Sequence, residues 1–415
     1  MRILFTNNTL DKPAGTELSL RDAAMRLKTR GHDVICFSRQ HGPVADILSQ
    51  GGIQSVGELR EIPVDWKPDV IHGHHEWETS LAALRFPESP IISFCRGVHA
   101  WQESPCTAPN VVKFVVVDTG CRDRLVNEEA IPESEIEMVL NGIDLSRFEE
   151  RTEYRPKVES VLVFSNYARD DNYLDLIRRA CAAEGVACEA IGNGVNRSVS
   201  NPTTFLQKAD LVFAKGKAAL EACASGAMVV VCDEPAVARD FVTPENFTTS
   251  RELSFGYPLM TEPHDIETYR NCIKGYNPAV AKAVCQLARD TADIERTVDQ
   301  LESLYNQAVA TWQERPAADL ASFTQWASVF FEKKTGAYKL GRDSQEIWRN
   351  TDNPKNSNRY SPPSTPADET VEIHRIIDQL RKSHGLKNEL KAALKKIKEL
   401  ESQSSNSKKK GWFQK

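Results

Sequence analysis

Short, nearly uninterrupted apolar runs recur along the first 240 residues, each followed by a longer stretch with apolar residues at helical spacing. MRILFT, DVICFS, DVIHGH, PIISFC and VVKFVVVD read as strands in the first 120 residues, and GTELSLRDAAMRLKTRGH between the first two reads as a helix with a Gly-His stop. Strands that are apolar on both faces and separated by helices belong in a parallel sheet covered on both sides. The pattern restarts near Val158 with the strands VESVLVFSN, VACEAIGNG, DLVFAKG and AMVVVCDEP, interleaved with YLDLIRRACAAEG, TTFLQKA and GKAALEACASG as helices. The expected fold class is therefore α/β, with two doubly wound domains facing a cleft. Ligands of such sheets bind outside the carboxyl ends of the strands, so those ends are where functional residues are to be sought.

The expected first domain spans residues 1–150 and the second 151–310, joined through VLNGIDLSRFEERTEYRPK. A helical extension follows at 311–340, whose Phe and Trp content implies packing onto the body. Residues 341–367 read as a polar, proline-rich linker. Residues 368–403 carry an amphipathic helical pattern, and 404–415 form a basic-aromatic tail that ends SKKKGWFQK.

Charge is unevenly spread. The chain has a net charge of −6, yet from Val371 onward twelve Lys and Arg face five Asp and Glu, leaving −13 on the remainder. A basic tail on an acidic body points to peripheral contact with an acidic membrane or with a partner helix, and the acidic body argues against nucleic-acid binding. The first residues leave no room for a signal peptide, and no run of about 18 apolar residues suggests a membrane span. The ten Cys show no CxxC pair. The expected state is reduced and mostly buried thiols in a cytoplasmic protein, peripheral at most to the inner face of a membrane.

Several residues at predicted strand ends carry chemistry. Gly15 lies between the first strand and its helix, where glycine lets backbone amides approach a phosphate or sugar, or simply makes a turn. Glu17 follows in the first helical turn, where an anion also complements the helix dipole. His72, His74 and His75 in HGHH invite a zinc site, but no Cys or carboxylate pair stands nearby in sequence, so no metal is expected. His99 follows the PIISFC strand. Gly192 and Gly194 close another strand. Glu221 is a lone carboxylate on the apolar helix KGKAALEACASG.

Taken in order, AGTELSLRDAAMRLKTRGHDV, PDVIHGHH, the His of SFCRGVHAW, VLNGIDLSRF, EAIGNG and ALEACASGAMVVV resemble the GT-B glycosyltransferases of the retaining family-four type, over about residues 1 to 310. The resemblance implies a metal-independent, retaining transfer of a sugar from a nucleotide-sugar donor, with no cofactor. The acceptor is left open among glycan, lipid-linked and protein. Glu221 would hold the ribose, Gly216 would let the backbone reach the diphosphate, and Gly192 and Gly194 would border the base and ribose. His99 falls at the family's active-site histidine, to bind a donor-sugar hydroxyl or move a proton. Gly15, Glu17 and His74 fall on the acceptor and sugar side. Two departures stand out. Phe213 occupies the place of a second Glu that contacts the donor sugar, and Tyr167 and Asn172 occupy the places of a basic pair. Arg169 and Lys217, or Lys215, are left to supply positive charge to the diphosphate. Two alternatives share the fold: a degenerate glycan- or nucleotide-binding protein with a C-terminal interaction helix, and a sugar-nucleotide epimerase.

Overall fold

The computed structural model describes residues 1–12, 14–98, 100–199, 201–315 and 321–332. The linker, amphipathic helix and basic-aromatic tail expected at 341–367, 368–403 and 404–415 lie outside the described residues, as does His99.

The first sheet contains β1 (Arg2–Thr6), β2 (Asp33–Phe37), β3 (Gln54–Val56), β4 (Val70–His74), β5 (Ile91–Cys95), β6 (Val111–Val116) and β7 (Ile136–Met138), in the order β3-β2-β1-β4-β5-β6-β7. Every neighbouring pair is parallel. The second contains β8 (Ser160–Phe164), β9 (Ala187–Ile191), β10 (Leu211–Ala214), β11 (Met228–Asp233), β12 (Ala236–Phe241) and β13 (Met260–Glu262), in the order β13-β12-β11-β10-β8-β9. Its first four strands are parallel, whereas β12 and β13 add an antiparallel edge. β4, β5 and β11 are buried along their whole length, as both-face coverage of a parallel sheet demands.

The helices are α1 (Gly15–Thr29), α2 (Pro43–Gln50), α3 (Glu76–Arg85), α4 (Thr119–Asn127), α5 (Tyr173–Glu184), α6 (Thr203–Leu206), α7 (Gly216–Ala224), α8 (Phe247–Glu252), α9 (Ile266–Lys274), α10 (Pro278–Thr291) and α11 (Ile294–Glu314). The α5 helix shows the local rules at work: Asn172 caps its N-terminus through Leu174 N–H, and Gly185 ends it at φ 70°. Residues 321–332 form a further helix. It lays Phe330 at 5.4 Å from the Trp77 ring and buries Phe323, while Phe331 stays exposed. Among the described residues no helix is long and apolar enough to cross a membrane. All ten cysteines are free thiols, nine of them buried.

In each sheet the strand order reverses once, between β1 and β4 in the first and between β8 and β10 in the second. The chain passes from the first domain to the second at Ile143 and comes back at Ile294. The two crossings lie side by side: Ile143 N–H donates to Ala292 O at 2.8 Å, and Ile294 N–H donates to Ile143 O at 2.8 Å. The α11 helix, placed with the second domain by sequence position, accordingly packs on the first. Ile294, Val298, Leu301, Tyr305 and Ala308 join a core with residues of α1, β4, β5 and β6. Its polar face is tied down by Arg30, which reaches Glu295 at 2.5 Å, Asp299 at 2.7 Å and Glu302 at 2.6 Å.

The glycine of the NGID turn has a steric cause here. A Cβ on Gly142 would lie 2.8 Å from Ile294 Cα and 2.5 Å from Thr297 Oγ1, against the backbone of the returning chain. Gly142→Ala is expected to destabilise the fold by about 1–3 kcal/mol, the usual cost of overpacking. The measurement is the urea unfolding midpoint, and an unchanged midpoint would contradict this account of the crossing.

Candidate functional site

The reversal points bring α1 and β4 of the first domain against the loop and helix that follow β10. The α7 helix begins at Gly216, at φ +63°, with its N–H donating to Phe255 O at 3.1 Å. Its interior is built of Ala219, Ala222, Cys223 and Ala224, all fully buried. These small side chains let α7 lie close to β10, β11 and α10. Lys217 and Glu221 sit one turn apart on that helix. Glu221 is only 7% exposed, and burial pushes its carboxyl up to about 7, with Lys217 opposing the shift.

Asp22, on α1, faces the same helix. Lys217 Nζ lies 2.6 Å from Asp22 Oδ2, Arg21 pairs with Asp22 Oδ1, and Arg147 approaches that oxygen at 3.7 Å. Burial alone would raise the Asp22 carboxyl, but the Lys217 and Arg21 charges outweigh it and hold it below its ordinary value. The two acids of the cleft thus differ: Asp22 is a fixed anion, whereas Glu221 titrates near neutrality.

A cavity open to solvent lies here, about 440 Å³ with the solvent at its mouth included, lined among others by Asp22, His72, His74, Arg96, Asn141 and Lys217. A second, of about 210 Å³, is lined by Asn141, Gly216, Lys217, Leu220, Arg251 and Phe255, among others. Asn141 and Lys217 border both. Arg96, directly after β5, donates a guanidinium hydrogen bond to Asn141 Oδ1. Arg251 donates to Thr291 O at 3.0 Å and to Asn141 O at 3.2 Å. Burial lowers both guanidinium groups from their ordinary values, and among the described residues neither has a carboxylate within ion-pair distance.

The HGHH segment is a buried relay of rings. His72 is stacked between Phe5 and Phe94, with ring centroids 4.2 and 3.7 Å away. Its Nδ1 is 2.7 Å from the Tyr305 hydroxyl on α11, and its Nε2 is 2.9 Å from His74 Nε2. Burial lowers both imidazoles well below their ordinary range, so both are neutral. His75 turns away at φ 64°, accepts from Asn8 N–H at 3.1 Å and lies 3.3 Å from Glu103. Glu103 in turn accepts from Arg96 N–H at 2.8 Å, which fixes the loop after β5. Among the described residues no group of three or more His, Cys, Asp or Glu is arranged to hold a metal.

The other expected positions separate into two groups. His74, Lys217 and Gly216 line the cleft, and Glu221 lies beneath it. Glu17 is buried near His75 and Glu103, with its carboxyl raised chiefly by burial. Gly15 opens α1 with nothing within 4 Å of a would-be Cβ, so no close approach requires it. Gly192 and Gly194 have a packing cause: a Cβ would stand 2.0 Å from Ser165 O and 2.2 Å from Ala168 O, respectively. Arg169 lies on the surface, 57% exposed and 3.0 Å from Asp171, and does not line either cavity. Lys215 is engaged elsewhere, 2.7 Å from Asp233 and over the rings of Tyr257 and Tyr167 at 4.1 and 5.2 Å. Phe213 is fully buried and packs edge-on against Tyr269 at 5.3 Å. Sequence reasoning missed Asp22, Arg96, Asn141, Arg147 and Arg251. Arg96 stands directly after β5, and Asn141 follows β7 by three residues in the NGID turn, which was signal enough; Arg251 carried none.

Because Glu221 binds its proton more tightly folded than unfolded, it adds stability at low pH that is lost as pH rises from about 4.5 through about 7. Its share of that loss is about 3 kcal/mol, from a shift of roughly 2.5 pH units. Glu221→Gln is expected to flatten urea-derived stability between pH 5 and pH 8 relative to the wild type. Parallel curves for the two proteins would show that this carboxyl does not titrate there.

Residues 13–147 match the family model described as Glycosyltransferase Family 4. A search of curated proteins finds no match. Among solved structures, a glycosyltransferase from Rickettsia africae is similar at 14% identity and a TM-score of 0.56, over 74% of this chain and 98% of that one. HepE from Anabaena, solved with UDP and glucose, is similar at 14% identity and a TM-score of 0.53, over 74% of this chain and 99% of that one. Sucrose-phosphate synthase from Thermosynechococcus elongatus is similar at 13% identity and a TM-score of 0.50, over 75% and 99%. Residues 13–147 thus resemble glycosyltransferase family 4, within a chain whose two-sheet architecture is the GT-B fold.

Proposed function

We propose that the chain transfers a sugar, with retention and without a metal ion, from a nucleotide-diphosphate sugar held at the start of α7. The observation that carries this reading is the buried Glu221 beneath a cleft bordered by Gly216, Lys217 and Arg251. A helix N-terminus offers backbone donors and a favourable dipole to a diphosphate. Lys217 and Arg251 add two cations where leaving-group charge develops, the electrostatic task a divalent ion would otherwise perform. Glu221, one turn along, would accept hydrogen bonds from the two vicinal ribose hydroxyls. Its depressed acidity suits a group that meets neutral hydroxyls rather than a fixed cation. The UDP-glucose complex of HepE supports a nucleotide-sugar donor, and retention rests on the family 4 match of the first domain.

One observation favours a second reading, binding without turnover. With Phe213 in the core, no carboxylate reaches the donor sugar from that position.

The test is a thermal-shift and titration panel of UDP-, GDP-, ADP- and TDP-sugars on the wild type and on Glu221→Ala, followed by turnover in the presence of EDTA. One nucleotide class is expected to bind, and Glu221→Ala is expected to weaken it about 10- to 100-fold, the worth of charge-assisted hydrogen bonds. Turnover is expected to survive EDTA. Binding with no release of free nucleotide would favour the second reading, and no binding of any nucleotide sugar would overturn both.

A further inference from the structure

We propose that the wall of the cleft contributed by the first domain holds an acidic group, a carboxylate or phosphate ester, carried by the transferred sugar or by the acceptor, with Arg96 as its counter-ion. This rests on the donor reading above only for which partner brings the acid, since the anion site itself stands on Arg96 and His74.

Arg96 borders the larger cavity, and its guanidinium donates to a neutral acceptor, the Asn141 amide oxygen. Across the same cavity the Lys217 ammonium is already answered by Asp22 at 2.6 Å. The two cations of this cavity therefore differ in kind: Lys217 is neutralised within the protein, and Arg96 is half-buried with no carboxylate in ion-pair distance among the described residues. Desolvating a guanidinium that no carboxylate pairs with directly is costly, and burial lowers the Arg96 pKa despite the attraction of Glu103. A bound anion offsets that cost, and a neutral sugar does not.

A second, independent feature points the same way. His74 lines the same cavity, is 1% exposed, and its Nδ1 has no hydrogen-bond partner among the described residues. Its other nitrogen ends the chain from the Tyr305 hydroxyl through His72. An anion selects one direction along that chain. Tyr305 O–H donates to His72 Nδ1, His72 Nε2–H donates to His74 Nε2, and His74 Nδ1–H is left to donate to the ligand. Both rings stay neutral, so the site supplies one positive charge and one neutral donor, suited to a single acidic group.

The site is also distinct from the place proposed for the diphosphate. Asn141 stands between the two: its side chain receives Arg96, its main-chain oxygen receives Arg251, and it borders both cavities. The cleft thus has a basic point on each side of Asn141, one toward α7 and one toward β4 and β5.

The experiment compares binding of UDP-glucuronate with UDP-glucose (or the same pair on whichever nucleotide the panel selects) to the full chain. A parallel arm titrates methyl glucuronide and glucose 6-phosphate against methyl glucoside on nucleotide-saturated protein. Wild type, Arg96→Met and Arg96→Lys are measured in both arms. A preference for the acid of about 10-fold or more is expected in one arm, which identifies whether donor sugar or acceptor brings it. Arg96→Met is expected to abolish the preference with affinity for free UDP unchanged, and Arg96→Lys to restore part of it. Because the wild-type preference is read without any variant, poor folding of Arg96→Met does not block the test. Equal affinity for acid and neutral probes in both arms, or an acid preference that survives in Arg96→Met, overturns the proposal. Should no nucleotide bind, the donor reading fails, while methyl glucuronide and glucose 6-phosphate still report on Arg96 through the apo protein.

Discussion

The two hydrogen bonds that tie Ile143 to Ala292 and Ile294 hold the outgoing and returning chains together at the only place where the described main chain passes between the sheets. Much of the remaining arrangement follows from them. They start α11 at a point from which its apolar face falls on α1 and β4–β6, and that packing sets Tyr305 beneath His72. They also place Asn141 where its two oxygens receive guanidinium groups from opposite sides of the cleft. The lack of a side chain at Gly142 is what allows the two crossings to approach so closely.

The cleft illustrates how similar groups take opposite character from small differences in placement. Asp22 and Glu221 are both nearly buried and both near Lys217. Asp22 touches the ammonium at 2.6 Å and a guanidinium as well, so attraction outweighs desolvation and the acid stays ionised. Glu221 has no ion pair among the described residues, so desolvation prevails and the acid titrates near neutrality. A carboxyl at that balance can meet a hydroxyl as acceptor without having to break a salt bridge first.

Much of the fold was legible because buried parallel strands are continuous apolar runs: β1, β2, β4, β5, β6, β8, β10 and β11 each stand out in the chain. The β3 and β13 strands, three residues each, and the partly exposed β12 sit toward the sheet edges, where apolar signal is weak. The amphipathic pattern of α11 announced a buried face but not its partner, since periodicity is blind to which domain supplies the other half of a core. Within the site, Glu221 was legible as a lone carboxylate on an apolar helix. Lys217, on the same helix, was expected beside a diphosphate; it borders both cavities and pairs with Asp22. Arg169 had an equal claim on sequence, yet its loop directs it to Asp171 at the surface. Arg96, Arg251 and Asp22 gain their meaning only when two distant segments meet, and no local pattern encodes that meeting.

The Lys217–Asp22 contact joins the second domain to the first with two nearly buried charges. It therefore behaves as a latch as well as a neutralising pair. Were Lys217 drawn away to a bound anion, Asp22 would keep Arg21 and Arg147, both on the first-domain side or at the crossing, so the acid would stay ionised while one direct tie across the cleft was released.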